Sequence, residues 1–356
     1  MKKLLPIIAI LACGIAAYLY FSGDKPEVTS QEVAESANSN TFKVGWSIYP
    51  GWMDNALMEM ELVKSEDSFL KQRTDEAGVS VQIVKFKEYI PSVSALASGK
   101  LDACTMTLGE ALSIPVDSGI PVTIILINDY SNGNDAICVP NGWNWENMKG
   151  KSILAEEFSV SQYLVWRALQ KEGLPYDHVG FKNTPGDECS KVFLAGVESN
   201  SPVAVATWNP HVLRIEESGK ADMLFTSADI PKEIIDCVVV RTDRIKGNEK
   251  AIQAYVNAHY DVMRYLNDPA TKERAIRAMT VSAELRKEDS ALFEGMLSKT
   301  AFYSTPQETA EFMDSEELKT QHDRIRQFLL DVGAFRSENA DNHQITFDSS
   351  FVRNAQ

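Results

Sequence analysis

Five short segments of the chain carry side chains that could bind a small molecule, and each follows directly after an apolar run. Aromatic rings stack on flat or cationic groups, and carboxylate, amide and hydroxyl oxygens accept N–H donors. None of the segments contains lysine or arginine, which usually bind nitrate, sulfonate or phosphate. The segments therefore predict a nitrogen-rich ligand. Their polar and aromatic residues are Ser47, Tyr49 and Trp52; Met106, Thr107 and Glu110; Ser131, Asn132, Asn134 and Asp135; Glu157, Phe158, Ser159 and Ser161; and Trp208, Asn209 and His211.

From these segments, and from the strand end before the first of them, we select a predicted ligand-binding set. The backbone amides near Ser161 are the only obvious feature that favours an anion. Four carboxylates oppose it, those of Glu110, Asp135, Glu156 and Glu157. No catalytic residue, metal ligand or cofactor is predicted. The predicted ligand-binding residues are Trp46, Ser47, Tyr49, Trp52, Thr107, Glu110, Asn134, Asp135, Glu157, Ser159, Trp208 and Asn209.

Several of these residues have a structural alternative that the sequence leaves open. Trp46 directly follows an apolar strand and could pack in the core. Asp135 could cap the turn "SNGN", and Glu157 could be a favourable charge near a helix N-terminus. Ser159 is predicted to cap that helix whether or not it contacts ligand. Glu110 could be a solvated helix residue, and Asn209 could belong to a turn before a proline.

The segments lie at the ends of strands in a pattern that alternates strand and helix, which is typical of a mostly parallel sheet. "TFKVGWS", "VSVQIVKF", "LDACTMTL" and "PVTIILINDY" are predicted strands of a first block. "KSILAE", "HVGFKNT" and "SPVAVATWNP" are strands of a second block, and amphipathic helices dominate after about residue 250. In an open parallel sheet, ligands bind at the carboxyl ends of the strands. The five segments are therefore expected to converge.

Length, composition and net charge limit the class of protein. The chain has 356 residues, enough for two lobes, with 44% hydrophobic and 24% charged residues, which is typical of a globular protein. The formal net charge of −15 and the lack of a basic stripe exclude nucleic acid as a partner. Cys104, Cys138, Cys189 and Cys237 have no zinc-ligand spacing and are predicted to be free, buried residues.

The N-terminus predicts export from the cytoplasm. "MKK" precedes an uncharged apolar run, "LLPIIAILACGIAAYLYF", which has the pattern of a signal segment and about the length of a membrane span. Residues 1–22 are therefore predicted to be a cleaved signal or a retained membrane anchor. Residues 23–41 are polar and without periodicity, and are predicted to be a flexible tether.

The segments "VGWSIYPGWM", "LDACTMT", "DYSNGNDAI", "EEFSVSQYLVWRALQKEGL" and "VATWNP" resemble, as a collinear set, the substrate-binding proteins of nitrate, sulfonate and taurine-type ABC importers. They are similar in particular to the branch associated with urea carboxylase, which supplies urea-like or guanidine-like compounds. Asp54 and Asn55, after "GWM", depart from that pattern. The resemblance implies the two-lobed periplasmic-binding-protein type II fold, an α/β architecture of two mostly parallel sheets flanked by helices, with the ligand held between the lobes.

On this basis the chain is divided into a first lobe at 42–134, a second lobe at 135–236, a return to the first lobe with C-terminal helices at 237–335, and a loosely attached tail at 336–356. Lobe closure is predicted to use hinges near Ser131–Asp135 and near Ile235–Val239.

The predicted function is the periplasmic solute-binding component of an ABC importer, in partnership with a permease and an ATPase and not as an enzyme. The alternatives are a ligand-sensing domain of a membrane signalling complex and a thiamine-precursor-type enzyme. The dispersed histidines and the absence of a cysteine cluster disfavour the enzyme.

Overall fold

A computed structural model describes residues 41–60, 68–335 and 345–356 of the chain. The described strands are β1 (Thr41–Trp46), β2 (Ser80–Lys85), β3 (Ala103–Thr107), β4 (Val122–Ser131), β5 (Asp135–Pro140), β6 (Ser152–Ala155), β7 (Gly180–Asn183), β8 (Ala204–Trp208), β9 (Ala221–Thr226), β10 (Ile235–Arg241), β11 (Thr300–Phe302) and β12 (Thr346–Phe347).

The α-helices connect these strands and cover both sheets. They are α1 (Asp54–Met58), α2 (Phe69–Ala77), α3 (Tyr89–Ala97), α4 (Leu108–Ala111), α5 (Trp145–Met148), α6 (Val160–Lys171), α7 (Cys189–Glu198), α8 (His211–Glu216), α9 (Glu249–Asn267), α10 (Lys272–Ser282), α11 (Ser290–Leu297), α12 (Pro306–Met313), α13 (Glu316–Asp331) and α14 (Ser350–Arg353).

The strands form two sheets, one in each lobe. The first sheet has the order β11-β4-β10-β3-β1-β2, with β12 added to β4, and the second has the order β7-β6-β8-β5-β9. Both sheets are mixed, which corrects the expectation of mostly parallel sheets. Of the strands that lead into and out of the second lobe, β5, β9 and β10 pair antiparallel with their neighbours, and β4 pairs antiparallel with β10 and β11.

The chain crosses between the sheets twice. The first crossing lies between β4 and β5, at residues 131–135 as predicted for the first hinge. The second lies between β9 and β10, at residues 227–234. The predicted second hinge near Ile235–Val239 is therefore wrong by several residues, because that segment is hydrogen-bonded in the sheet between β3 and β4.

A single hydroxyl group joins the two crossings. The Oγ atom of Ser227 lies 2.7 Å from the Oγ atom of Ser131. The same oxygen accepts the backbone N–H of Gly133 at 2.7 Å and that of Asp135 at 3.3 Å. Because these groups are buried, each needs a partner within the protein. Ser227 therefore couples both crossings at the point about which the lobes would move.

Burial of the crossing strands follows from their sequences. Val122–Ser131 and Ile235–Arg241 are buried along nearly their whole length, as expected for strands covered on both faces. Cys104, Cys138, Cys189 and Cys237 are free and buried, which confirms the prediction that they pack as small apolar side chains. Asp129 and Asp236 are also buried in these strands, where a carboxylate is unusual.

The C-terminal segment differs from the predicted loose tail. Strand β12 pairs in parallel with β4, and Phe351 and Val352 of α14 are buried. The chain end is therefore packed against the first sheet. The predicted signal or anchor, and the tether up to residue 40, lie outside the described residues. Within the described ranges, no helix combines the length and apolarity that a membrane crossing needs.

We expect Ser227→Ala to lower the free energy of unfolding by about 1–3 kcal/mol, because it leaves buried donors at the hinge without an acceptor. Chemical denaturation with urea measures this change. Ser298→Ala is the matched control, since Ser298 is exposed and donates only to a carbonyl in its own helical turn. Equal stability of the two variants would contradict the role given to Ser227.

Candidate ligand-binding site

The candidate site lies where the crossing strands meet the end of β3. Asp236 on β10 is the direct cross-strand partner of Asp129 on β4 and of Thr107 on β3. Directly paired residues in an antiparallel ladder project from the same face, so these side chains form a row. Asp135, the first residue of β5, is paired with Trp208 at the end of β8. Thr107 and Asp236 from the first lobe and this pair from the second lobe line a common space, and Asp129 lies behind Asp236 against Gly51.

Aromatic rings line this space in a continuous chain. The ring centroids of Tyr49 and Trp52 are 5.1 Å apart, and those of Trp52 and Tyr89 are 5.0 Å apart. Tyr89 lies edge-on to Trp208 at 6.0 Å, which carries the chain from the first lobe to the second. These distances are within the range of favourable ring contacts. The rings therefore form a wall that continues across the cleft.

A small cavity opens between these groups, and we call it the carboxylate cavity. Its volume is about 10 Å³, close to the space that a single water needs. A larger occupant would require the lobes or the rings to move apart. None of its lining residues is lysine or arginine. The lining residues are Tyr49, Trp52, Tyr89, Thr107, Asp135, Val160, Trp208, Ile234 and Asp236.

Polar atoms around the carboxylate cavity lack hydrogen-bond partners among the described protein groups. They are both carboxylate oxygens of Asp129 and of Asp236, one oxygen of Asp135, the Tyr49 hydroxyl and the Trp52 indole nitrogen. Buried polar atoms in folded proteins are almost always hydrogen-bonded to protein, water or ligand. Asp129 and Asp236 lie close enough to share a proton, and the acceptors that remain would be satisfied by a group with several N–H donors.

Burial and mutual repulsion keep protons on these acids. Burial raises the pKa of Asp135 to about 7. Burial, with the charges of Asp54 and Asp135, raises the pKa of Asp129 to about 8. The pKa of Asp236 is raised well above its usual value by burial and by Asp129 beside it. The acids are therefore an uncompensated cluster that a cation would stabilise in charged form.

Glu110 occupies the start of α6, whose backbone amides are the feature that could have favoured an anion. Its carboxylate accepts the backbone N–H of Val160, the first residue of α6, at 2.8 Å. The next amide, that of Ser161, is bonded to the side chain of Ser159 at 3.1 Å. The other Glu110 oxygen contacts the hydroxyl of Thr107. Glu110 is thus buried between the lobes, where burial raises the pKa of its carboxyl, and this side chain of the protein itself occupies the first amide of the helix.

The structure brings some of the predicted site residues together and places the others apart. Tyr49, Trp52, Thr107, Asp135 and Trp208 line the carboxylate cavity. Ser159 caps α6 and lines a neighbouring cavity. Glu110 contacts Thr107 and Val160, which line the cavity, but does not line it itself. The remaining predicted residues lie apart from the cavity; they are Trp46, Ser47, Asn134, Glu157 and Asn209.

Each residue that lies apart has a local structural position. Trp46 packs in the core with the ammonium of Lys85 5.9 Å from its ring, and Ser47 is buried beside it. Glu157 is exposed. Asn209 donates to the side chain of Asn134 at 2.9 Å. Their remaining amide groups bond to the Thr300 hydroxyl and the Leu213 N–H, so this pair braces the first crossing.

Tyr89, Asp129 and Asp236 were missed from the sequence. Tyr89 begins the helix after β2, and the rule that gathers ligand residues at strand ends applies equally there. Asp129 and Asp236 were read as parts of strands. An aspartate is seldom fully buried unless it has a partner. Its presence inside an otherwise apolar strand is a signal that could have identified both residues.

The aromatic turn is held in place by a buried polar network. A hydrogen bond of 2.7 Å joins the carboxyl group of Asp54 to the Nδ1 atom of His259, and both side chains are fully buried. Asn55 donates to the carbonyl of Trp52 at 3.0 Å and accepts the hydroxyl of Tyr255 at 2.8 Å. Asp54 and Asn55, the two departures from the expected pattern, therefore fix the Trp52 turn to α9.

Comparison with known families decides the identity of the fold. The family model described as NMT1/THI5 like matches residues 75–270, more than half of the chain. The chain belongs to the NMT1/THI5-like family. A comparison of this NMT1/THI5-like chain with curated proteins finds no match.

Solved structures show the same architecture as this NMT1/THI5-like protein. The periplasmic aliphatic sulphonate binding protein SsuA of Escherichia coli matches with a TM-score of 0.66 and 14% identity, over 84% of this chain and 94% of that one. The periplasmic nitrate-binding protein NrtA of Synechocystis PCC 6803 matches with a TM-score of 0.61 and 14% identity, over 89% and 88%. The desulfurization enzyme DSZB matches with a TM-score of 0.55 and 14% identity, over 89% and 98%. The fold is therefore the two-lobed periplasmic-binding-protein fold, with two sheets flanked by helices.

We expect the free energy of unfolding of the ligand-free NMT1/THI5-like protein to fall as pH rises from about 4 to about 8. Asp135 and Asp129 have an ordinary pKa of 3.8 and folded pKa values of about 7 and about 8. In this range the folded state holds protons that the unfolded chain has lost. Each such proton lowers the free energy of unfolding by up to about 1.4 kcal/mol per pH unit.

Urea denaturation at a series of pH values measures this slope. Asp135→Asn should make the slope shallower, whereas the control Asp177→Asn, at an exposed position, should leave it unchanged. A slope that is identical in both variants would show that Asp135 is already charged in the folded protein.

Proposed function

We propose that this protein is the solute-binding component of an ABC importer and that it captures a small nitrogen-rich cation, such as a guanidinium or amine compound, between its lobes. The family and the two-lobed fold support the class of protein. The single observation that carries the ligand class is the cluster of Asp129, Asp135 and Asp236, buried beside aromatic rings with unpaired oxygens.

A cation would satisfy this cluster in two ways. Its charge would stabilise the deprotonated forms of the aspartates, which burial disfavours in the empty protein, and its N–H groups would donate to the carboxylate oxygens. The faces of Trp52 and Tyr49 would add a favourable interaction of about 1–2 kcal/mol in a site without water. A neutral ligand such as urea would donate hydrogen bonds but leave the charges uncompensated. The cation is therefore the better fit.

An oxyanion fits this site poorly. Two of the solved neighbours are named for sulphonate and nitrate, but an anion here would face Asp135 and Asp236 within the lining of the cavity. The amide of Val160, which could have bound it, already donates to Glu110. The proposed ligand therefore has the opposite charge to those named for the neighbours.

Capture would proceed by lobe closure about the crossings joined at Ser227. The closed complex would then be presented to a permease and an ATPase. The basic and apolar N-terminal sequence supports a periplasmic location, with residues 1–22 as a signal or an inner-membrane anchor. The same capture would serve a sensor, and a neighbouring permease gene would favour transport.

We expect guanidinium, methylguanidinium and methylammonium, each at non-denaturing concentration, to raise the melting temperature of the purified protein. Urea should have a smaller effect, and taurine and nitrate should have none. Thermal-shift measurements followed by isothermal titration calorimetry provide the test. Stabilisation by taurine or nitrate, without stabilisation by any cation, would refute the proposed ligand class.

We expect Asp236→Asn to weaken binding of the best cation by at least about tenfold, because hydrogen bonds to a charged acceptor contribute about 1.5–3 kcal/mol. Trp52→Phe should weaken it less, since a ring remains. Asp177→Asn and Trp143→Ala, at positions outside the cavity lining, serve as controls. Calorimetry gives the dissociation constants. Normal binding by Asp236→Asn would place the ligand elsewhere.

A further inference from the structure

A second cavity adjoins the carboxylate cavity and has a different chemistry. Thr107, Val160 and Ile234 line both cavities. The second one, which we call the apolar cavity, also has a volume of about 10 Å³ and continues between α6 and α13. Its remaining lining residues are Gly109, Phe158, Ser159, Tyr163, Glu233, Ile235, Ile325 and Phe328.

The one charged residue that lines the apolar cavity is already neutralised. Glu233 binds the guanidinium of Arg167 through two hydrogen bonds, at 2.6 and 2.8 Å. It also accepts the hydroxyl of Tyr163 at 2.7 Å and forms an ion pair with Arg324 at 3.1 Å. A second cationic group at this end of a ligand would lie near the guanidinium groups of Arg167 and Arg324. The nearby carboxylate, Glu233, is already paired with both arginines. The apolar cavity therefore offers apolar contact and no site for a positive charge.

We infer that the physiological ligand carries one cationic head and a short linear alkyl chain, with the head in the carboxylate cavity and the chain passing Thr107, Val160 and Ile234 into the apolar cavity. This inference rests on the proposed function and refines its ligand class. The two cavities share three lining residues but differ in chemistry, which suits a ligand with a charged head at one end and an apolar chain at the other. Because each cavity is only about 10 Å³, both would have to widen to admit it. Phe158, 41% exposed, lies where the chain would reach solvent.

The inference predicts different affinities for a monocation and for a dication of similar length. Butylguanidinium would place its methyl end among Ile325, Phe328 and Phe158, whereas 4-aminobutylguanidinium would place an ammonium group near Arg167 and Arg324. Transfer of each methylene out of water favours binding about threefold to fourfold. A like charge opposite the arginines disfavours it.

The test measures dissociation constants of the wild-type protein for guanidinium and its methyl, ethyl, propyl, butyl and hexyl derivatives, together with 4-aminobutylguanidinium. Affinity should rise about threefold to fourfold with each methylene up to the length that reaches Phe158, and then level off. Butylguanidinium should bind at least about tenfold more tightly than 4-aminobutylguanidinium.

Phe158→Ala should lower the affinity gained from the butyl chain and leave guanidinium binding unchanged. Leu292→Ala is the matched control, because Leu292 is another exposed apolar residue, at 38%, and lines neither cavity. Equal effects of the two substitutions would overturn the placement of the chain.

The failures of the two proposals are distinguishable. If guanidinium binds but chain length has no effect, or if the diamine analogue binds as tightly as butylguanidinium, the alkyl-chain inference is wrong and the proposed function stands. If no cation in the series binds while taurine or nitrate does, the proposed function itself is wrong.

Discussion

The burial of three aspartates together, without a basic residue in the cavity lining, is the constraint on which the site depends. A buried charge is costly unless it is paired. The protein reduces that cost by retaining protons on Asp129, Asp135 and Asp236, as their raised pKa values indicate. Such a cluster lowers the stability of the empty protein at neutral pH. A cation of the proposed ligand class would relieve this cost.

The rest of the structure keeps this cluster buried and in place. The rings from Tyr49 to Trp208 cover it on one side, and Glu110 joins the lobes by bonding to the first amide of α6. Behind the rings, the pair of Asp54 and His259 fixes the turn that carries Trp52. Each of these contacts places a polar or aromatic group at a distance set by two elements, so the site is assembled by the fold rather than by one loop.

Much of this could be predicted from the sequence, because strand ends and their loops have clear signals. The alternation of strands and helices, the free cysteines and the first crossing at residues 131–135 were predicted from local patterns. Five of the twelve predicted ligand residues line the cavity, since Tyr49, Trp52, Thr107, Asp135 and Trp208 sit where a strand ends. Asn134 and Asn209 have the same local pattern, but their amides bond to each other across the crossing, which a linear sequence does not reveal. Asp129 and Asp236 were missed because their significance arises only when two strands distant in sequence become neighbours.

The location of those two acids within strands affects how the protein could diversify. Loops tolerate substitution and insertion, so the size and shape of the ligand could change readily through the turns around Trp52 and Phe158. Asp129 and Asp236 instead belong to β4 and β10, the central pair that connects the lobes. A descendant of this protein could therefore change the shape of its site by a few loop substitutions, whereas a change in the proposed charge preference would require substitutions inside the paired strands that connect the lobes.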